Sequence, residues 1–373
     1  MKAYVNGRVF TGEKWLKDVC ILLQNNKIVE IVAENNLPSD AERIDLQGNT
    51  LAPAFIDLQI YGGNGHLFGE HPSVNALEAT YNYCLAGGAA HFMPTVATHS
   101  KTVMFAAMDA VKEYQNQGKK GVLGLHLEGP YINSQKRGAH LAEFIREYPS
   151  LDAVKKLLEY ADGVVKMMTI APEVVSDKVI DVLQKHGITL SIGHTNATFA
   201  ETKYAFAKGI HAATHLFNAM SPFHHRWLGV VGAIYSDSTV CTSVVADGYH
   251  VDFEAIKLSK LILKERLFLI TDAVTKNPNG RYNHRLDGDK YVVSDGTLSG
   301  SALTMLKAVQ NCVEKVGIPL DESLRMAALY PAKVVGLDHQ LGRIEVGFAA
   351  DFVVFDNALK LAKSFEVYKT SKD

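Results

Sequence analysis

Five ionisable residues close short apolar runs in this chain, and their types are those that bind metals and move protons. Glu128 lies at the end of LGLHLEGP, His194 closes LSIGH, His215 closes AATH, His250 follows VVADGY and Asp272 closes FLITD. One glutamate and two histidines suit a catalytic divalent metal that keeps an open position for water, so Glu128, His194 and His215 form the candidate ligand set. Asp272 then has the type and place of a general base. A carboxylate beside a metal-activated water takes its proton during attack on a carbonyl and returns it to the leaving group. Singly, each residue has an ordinary reading: a histidine at a strand end is usually a hydrogen-bonded structural group, and Glu128 or Asp272 would serve as a helix cap. What selects the metal-site reading is the recurrence of all five at the same place in one repeating pattern. His186, His284 and His339 stand in helix-end or turn contexts and read as structural. Spacing does not place His211, His224 or His225.

The elements that would position these residues alternate along the chain. From 51 to 336, short apolar runs rich in β-branched residues alternate with amphipathic segments of helical length, as in a parallel sheet covered by helices. The candidate strands are 55–61, 91–98, 121–129, 164–173, 188–194, 210–218, 239–250 and 267–273, with helices such as 101–115 and 253–263 between them. Eight such units predict a (β/α)8 barrel of TIM type, whose C-terminal strand ends open onto one face and bring together residues a hundred positions apart. The first fifty residues read as strands: 2–10 alternates around Asn6-Gly7, and CILLQNNKIVEIV (20–32) is a hairpin about a Gln-Asn-Asn-Lys turn. A further strand-like stretch occupies 341–356. The expected division is a small β-domain built from 1–50 and 337–373, clasping the base of a barrel spanning 51–336.

Composition excludes some partners. Of 373 residues, 47% are apolar and 21% charged, ordinary for a globular protein, and 38 basic against 40 acidic side chains leave a net charge of −2. That balance supports neither a nucleic-acid nor an anionic-membrane partner, so any phosphate must be held by one or two local side chains. Cys20, Cys84, Cys241 and Cys312 are scattered without a C-x-x-C pair, as expected of buried thiols in a reducing compartment. With no signal-length apolar run at the N-terminus and no membrane-spanning run later, the expected location is cytoplasmic.

Together the segments HLEGPYINSQKRGAH (126–140), SIGHTNAT (191–198), HLFNAMSPFHHR (215–226), ADGYHV (246–251), LITDAV (269–274) and LSGSALTM (298–305) closely resemble the N-acetylglucosamine-6-phosphate deacetylase family of amidohydrolases. The resemblance runs from about 50 to 356, with the motifs in the family's order. It implies a distorted (β/α)8 barrel with a small β-domain made from both chain ends. It also implies Glu128, His194 and His215 as metal ligands and Asp272 as catalytic acid and base. His140 would lie near the acetyl carbonyl to stabilise the oxyanion, His250 on the sugar hydroxyls, and Asn218 with Ala219 along the sugar. Arg226 matches a phosphate-binding arginine that reaches across from a neighbouring subunit, which implies a homodimer.

Two departures from the family pattern stand out. Where many amidohydrolases carry D-x-H-x-H and a second metal, this chain has Asp57-Leu58-Gln59-Ile60-Tyr61, so one catalytic metal per chain is expected, and whether Gln59 also contacts a weakly held second ion is left open by the sequence. After Arg226 the chain reads Trp227-Leu228-Gly229 where relatives often have Glu-Pro-Gly, which alters the loop carrying the phosphate contact. The expected reaction is hydrolysis of N-acetylglucosamine 6-phosphate to glucosamine 6-phosphate and acetate. Zinc is the first choice of metal, and iron, manganese or cobalt also suit the ligands. The rivals are a cyclic amidase, an N-acyl-amino-acid deacylase and a non-catalytic sugar-phosphate sensor.

Overall fold

The computed structural model describes residues 1–362. The part of the expected terminal β-domain at 363–373 lies outside the described residues. Eight strands form one parallel sheet in chain order: Phe55–Ile60, Ala89–Ala97, Leu125–Glu128, Val165–Ile170, Thr189–Ile192, Ala212–Ala213, Cys241–Val244 and Leu267–Leu269. A helix follows each strand: Val74–Ala86, Lys101–Asn116, Leu151–Ala161, Asp177–Lys185, Phe199–Ala207, Gly229–Ser236, Phe253–Leu263 and Met305–Asn311. Several helix starts are written locally. Ser73, Ser100 and Ser150 accept a hydrogen bond from the amide three residues on, and Thr198 with Glu201 makes a reciprocal capping box. Each such cap is worth about 1 kcal/mol.

The barrel closes between its first and last strands without a continuous ladder. Asp272 N donates to Gln59 O at 2.9 Å, Ile60 bridges Ala273, and the Asp57 carboxylate accepts from Thr271 N at 3.1 Å and from Thr271 Oγ1 at 2.5 Å. A buried side chain thus completes the seam that backbone pairing leaves open.

The terminal segments form two small sheets sharing one core. The strand order in one is Lys27–Ala33, Val19–Gln24, Lys2–Val5, Glu42–Asp45, and in the other Phe352–Phe355, Thr50–Pro53, Arg8–Phe10, Trp15–Leu16. Ile21 and Ile28 from the first sheet pack with Val9, Leu51, Phe352 and Val354 from the second. Asn25 and Asn26 adopt φ of 51° and 59°, as the tight hairpin turn requires. The stretch 2–10 turns at Asn6-Gly7, where Asn6 has φ 60°, and its two halves enter different sheets and do not pair with each other. A three-stranded antiparallel flap, Arg285–Asp287, Lys290–Val292 and Leu298–Ser301, also follows the eighth barrel strand, where sequence periodicity indicated only a loop or helix. No helix among the described residues is long and apolar enough to cross a membrane. All four cysteines are free thiols, three of them buried.

Candidate active site

Glu128 ends the third barrel strand, while His194, His215 and Asp272 lie just beyond the fifth, sixth and eighth. The last three share an unusual backbone, with φ of 48°, 40° and 54° respectively. Left-handed turns of non-glycine residues are strained and cluster at functional sites. Here they occur where the chain leaves a strand and its side chain joins a common pocket.

Glu128, His194 and His215 are buried, and their ligand atoms all lie within 4.8 Å of one another. Glu128 Oε1 is 3.0 Å from His215 Nε2 and 3.3 Å from His194 Nε2, and the two nitrogens are 3.2 Å apart. His194 Nδ1 lies 2.9 Å from the Lys136 carbonyl, so its proton sits there and Nε2 offers a lone pair. Tetrahedral coordination with metal–ligand bonds near 2.0–2.1 Å separates ligand atoms by about 3.3 Å. These spacings and lone pairs fit a single divalent ion. Burial alone would push the Glu128 carboxyl up, yet His194 and His140 hold it well below the usual carboxylate range.

His140 is fixed in one tautomer. Thr98 N donates to its Nδ1 at 3.2 Å, so the ring proton is on Nε2, which donates to Glu128 Oε2 at 2.9 Å. Burial, with His194 nearby, lowers its pKa to about 4, leaving a neutral ring that donates. Asp272 lies opposite. Burial first, then the Glu128, Asp247 and Asp57 carboxylates, raise its pKa well above that of an ordinary aspartate. Its Oδ1 accepts from Gln59 Nε2 at 2.7 Å, and the same amide nitrogen donates to Glu128 Oε1 at 3.0 Å. Gln59 therefore bridges the two carboxylates with a neutral donor. Tyr61 hydroxyl donates to Glu128 Oε2.

Glu128, His140, His194 and His215 line one pocket with Asn218, Ala219, His250 and Asp272. Arg226 is not among its lining residues: it is exposed on a loop beside Trp227, which is 70% exposed and stacks on His224. Other lining residues escaped sequence reasoning. His284, read there as structural, is buried in the pocket wall with Nδ1 3.0 Å from Ser299 Oγ. Tyr282 lines the pocket too and donates to Thr98 O at 2.6 Å. Ser299 lies within LSGSALTM, a segment singled out for its resemblance but given no role. Asp247, which holds His250, had a signal in its i, i+3 spacing.

A parallel barrel presenting a Glu/His/His cluster and an opposed aspartate at its strand ends is that of a metal-dependent hydrolase. Residues 50–373 match the model of the Amidohydrolase family, and 1–51 match the NagA composite domain. The N-acetylglucosamine-6-phosphate deacetylase of Haemophilus influenzae is 36% identical over 364 residues, covering 95% of this chain and 94% of that protein. The N-acetylgalactosamine-6-phosphate deacetylase of Escherichia coli O157:H7 is 31% identical over 363 residues, 94% of each chain. The crystal structure of N-acetylglucosamine-6-phosphate deacetylase from Pasteurella multocida superposes with a TM-score of 0.91 at 38% identity, over 96% of both chains. The chain belongs to the amidohydrolase family, within its group of N-acetylglucosamine-6-phosphate deacetylases.

Proposed function

We propose that this protein hydrolyses the acetamido group of N-acetylglucosamine 6-phosphate, releasing acetate and glucosamine 6-phosphate. The observation that carries the reading is the convergence of Glu128, His194 and His215 with Asp272 across one buried pocket. Glu128, His194 and His215 would hold one divalent ion, with zinc the first choice for a Glu/His/His set, and such an ion would supply Lewis acidity toward the acetyl carbonyl and a lowered water pKa.

The chain's own groups do the rest. Asp272, with its raised pKa, takes a proton from the attacking water and later delivers it to the departing sugar nitrogen. His140 turns its Nε2–H from Glu128 Oε2, where it donates in the absence of substrate, to the developing oxyanion, and as a neutral ring at pH 7 it donates that hydrogen bond without transferring its proton. His250, with Asn218 and Ala219, orients the sugar. Arg226 binds the phosphate of a substrate held by a second copy of the chain, so the working unit is a homodimer. Its exposure, and its absence from the pocket of its own chain, support that arrangement. A planar guanidinium suits a phosphate fork, which lets a nearly neutral protein select a phosphorylated sugar. The proposed location is the cytoplasm, and the proposed division is 1–50 with 337–373 as the small domain around the barrel.

The galactosamine relative makes the epimeric sugar the specific second reading. Acetate release is measured from N-acetylglucosamine 6-phosphate, N-acetylgalactosamine 6-phosphate and unphosphorylated N-acetylglucosamine, with metal content determined on the same sample. Fastest turnover of the first, with about one metal per chain and loss of activity on chelation, is the expected result. Faster turnover of the galactosamine substrate reassigns the sugar, and no acetate from any of them by metal-loaded protein overturns the deacetylase reading.

A further inference from the structure

Beneath the pocket the barrel interior is polar, where parallel barrels are ordinarily filled with branched apolar side chains. His126, two residues before Glu128 on the same strand face, is fully buried. Its Nδ1 lies 3.1 Å from Leu58 O, and its Nε2 lies 2.8 Å from Thr169 Oγ1. Thr169 Oγ1 is 2.8 Å from Thr214 Oγ1, which is 2.6 Å from Ser191 Oγ. One chain of hydrogen bonds thus joins the third, fourth, fifth and sixth strands. Just past the sixth strand, His215 N donates to Ser243 Oγ of the seventh strand at 2.8 Å.

The chain underlies two strained residues. Thr214 directly precedes His215, and Ser191 is three residues before His194, both histidines having left-handed φ. Gly193, between Ser191 and His194, packs onto the same hydroxyl residues. A Cβ there would meet Thr169 Cγ2 at 2.7 Å and Thr214 Cβ at 3.0 Å. Strained backbone persists only where its surroundings over-determine it, and a fully satisfied buried polar network is a rigid surrounding.

We propose that the His126–Thr169–Thr214–Ser191 chain is a positioning device that holds the turns aiming His194 and His215, so that the ligand set is preformed before the ion binds. Thr169 touches no ligand side chain by hydrogen bond and acts through its neighbours. The inference rests on the reading of Glu128, His194 and His215 as metal ligands.

The test compares wild type with Thr169→Val, which keeps the shape and removes the hydroxyl, and Thr169→Ser, which keeps the hydroxyl. Zinc affinity is measured by competition with a chromophoric chelator, and melting is followed on metal-free protein. Thr169→Val is expected to bind zinc about 10–100-fold more weakly, with Thr169→Ser within about threefold of wild type. Wild-type zinc affinity in Thr169→Val, whatever its melting temperature, overturns the proposal, as does equal weakening in both variants. Should Thr169→Val fail to fold, Thr214→Val removes the next link and is judged by the same criterion. Wild-type protein that binds no zinc would instead overturn the metal-site reading, so the two failures are distinguishable.

Discussion

His250 Nδ1 lies 2.6 Å from Asp247 Oδ2, and the other oxygen of Asp247 accepts from the backbone amides of Tyr249 and His250. Although burial would raise the Asp247 carboxyl, these bonds from His250 and the amides hold it low and ionised. The proton of His250 is therefore on Nδ1, and Nε2 faces the pocket, 3.8 Å from Asp272 Oδ2. Asp247→Ala frees the ring to rotate and change tautomer. A charge-assisted hydrogen bond of this kind is worth about 1.5–3 kcal/mol, so kcat/KM should fall at least about tenfold. Because His250 is proposed to orient the sugar, the loss should fall more on KM than on kcat. Steady-state kinetics with an unchanged KM would remove His250 from the sugar contacts.

Asp272→Asn keeps the acceptor that Gln59 requires and removes the group that exchanges a proton. The expected loss in kcat is about 10²–10⁴-fold, with metal content by mass spectrometry unchanged. A variant that loses its metal in proportion to its activity would make Asp272 a ligand in place of an acid and base.

Asp57 has a pH dependence of unusual sign. Burial raises its pKa to about 6 despite the hydrogen bonds from Thr271 and Gln59 that favour the anion. Its unfolded value is near 3.9, so the folded state binds the extra proton, and this group's contribution to stability grows as pH falls from about 6 to about 4. Above pH 6 the buried charge costs the fold on the order of 3 kcal/mol relative to the protonated form. Asp57→Asn preserves the shape and the acceptor for Thr271 N. It is expected to unfold at higher denaturant concentration than wild type at pH 8, with the gap closing near pH 4. A variant less stable at pH 8 would mean that the carboxylate itself, and not its shape, closes the barrel seam.

Arg226→Ala should raise KM for the phosphorylated sugar by about 10–100-fold, as expected on losing charge-assisted bonds to phosphate, and leave turnover of unphosphorylated N-acetylglucosamine nearly unchanged. Sedimentation of the wild-type protein should give a dimer. A monomer with full activity would require Arg226 to reach the pocket of its own chain.

The barrel and the core of the site were legible because both follow local rules. Apolar runs of strand length alternate with capped amphipathic helices, and polar residues at the run ends identify the face on which they meet. Glu128, His194, His215 and Asp272 needed only that geometry. Other features depended on contacts with no local signature. His284 reads as a turn histidine, because nothing around it states that the flap Arg285–Ser301 turns it into the pocket wall. The turn at Asn6-Gly7 within 2–10 was legible, but not that its two halves would enter different sheets, because strand partners are set by contacts far along the chain.

By itself, the amino-acid order determined the elements, the face they share and the residue types gathered there, because periodicity and capping are properties of neighbours in the chain. Only the tertiary structure decided how those residues are held. The Gln59 amide bridges Glu128 and Asp272, residues 69 and 213 positions away, and Asp57 closes the seam with Thr271, 214 positions away. Protonation was decided there as well. Asp57, Asp247 and Asp272 are the same residue type, yet Asp247 is held low while Asp57 and Asp272 are raised. What separates them is the balance of burial and donated hydrogen bonds, which exists only once the strands have come together.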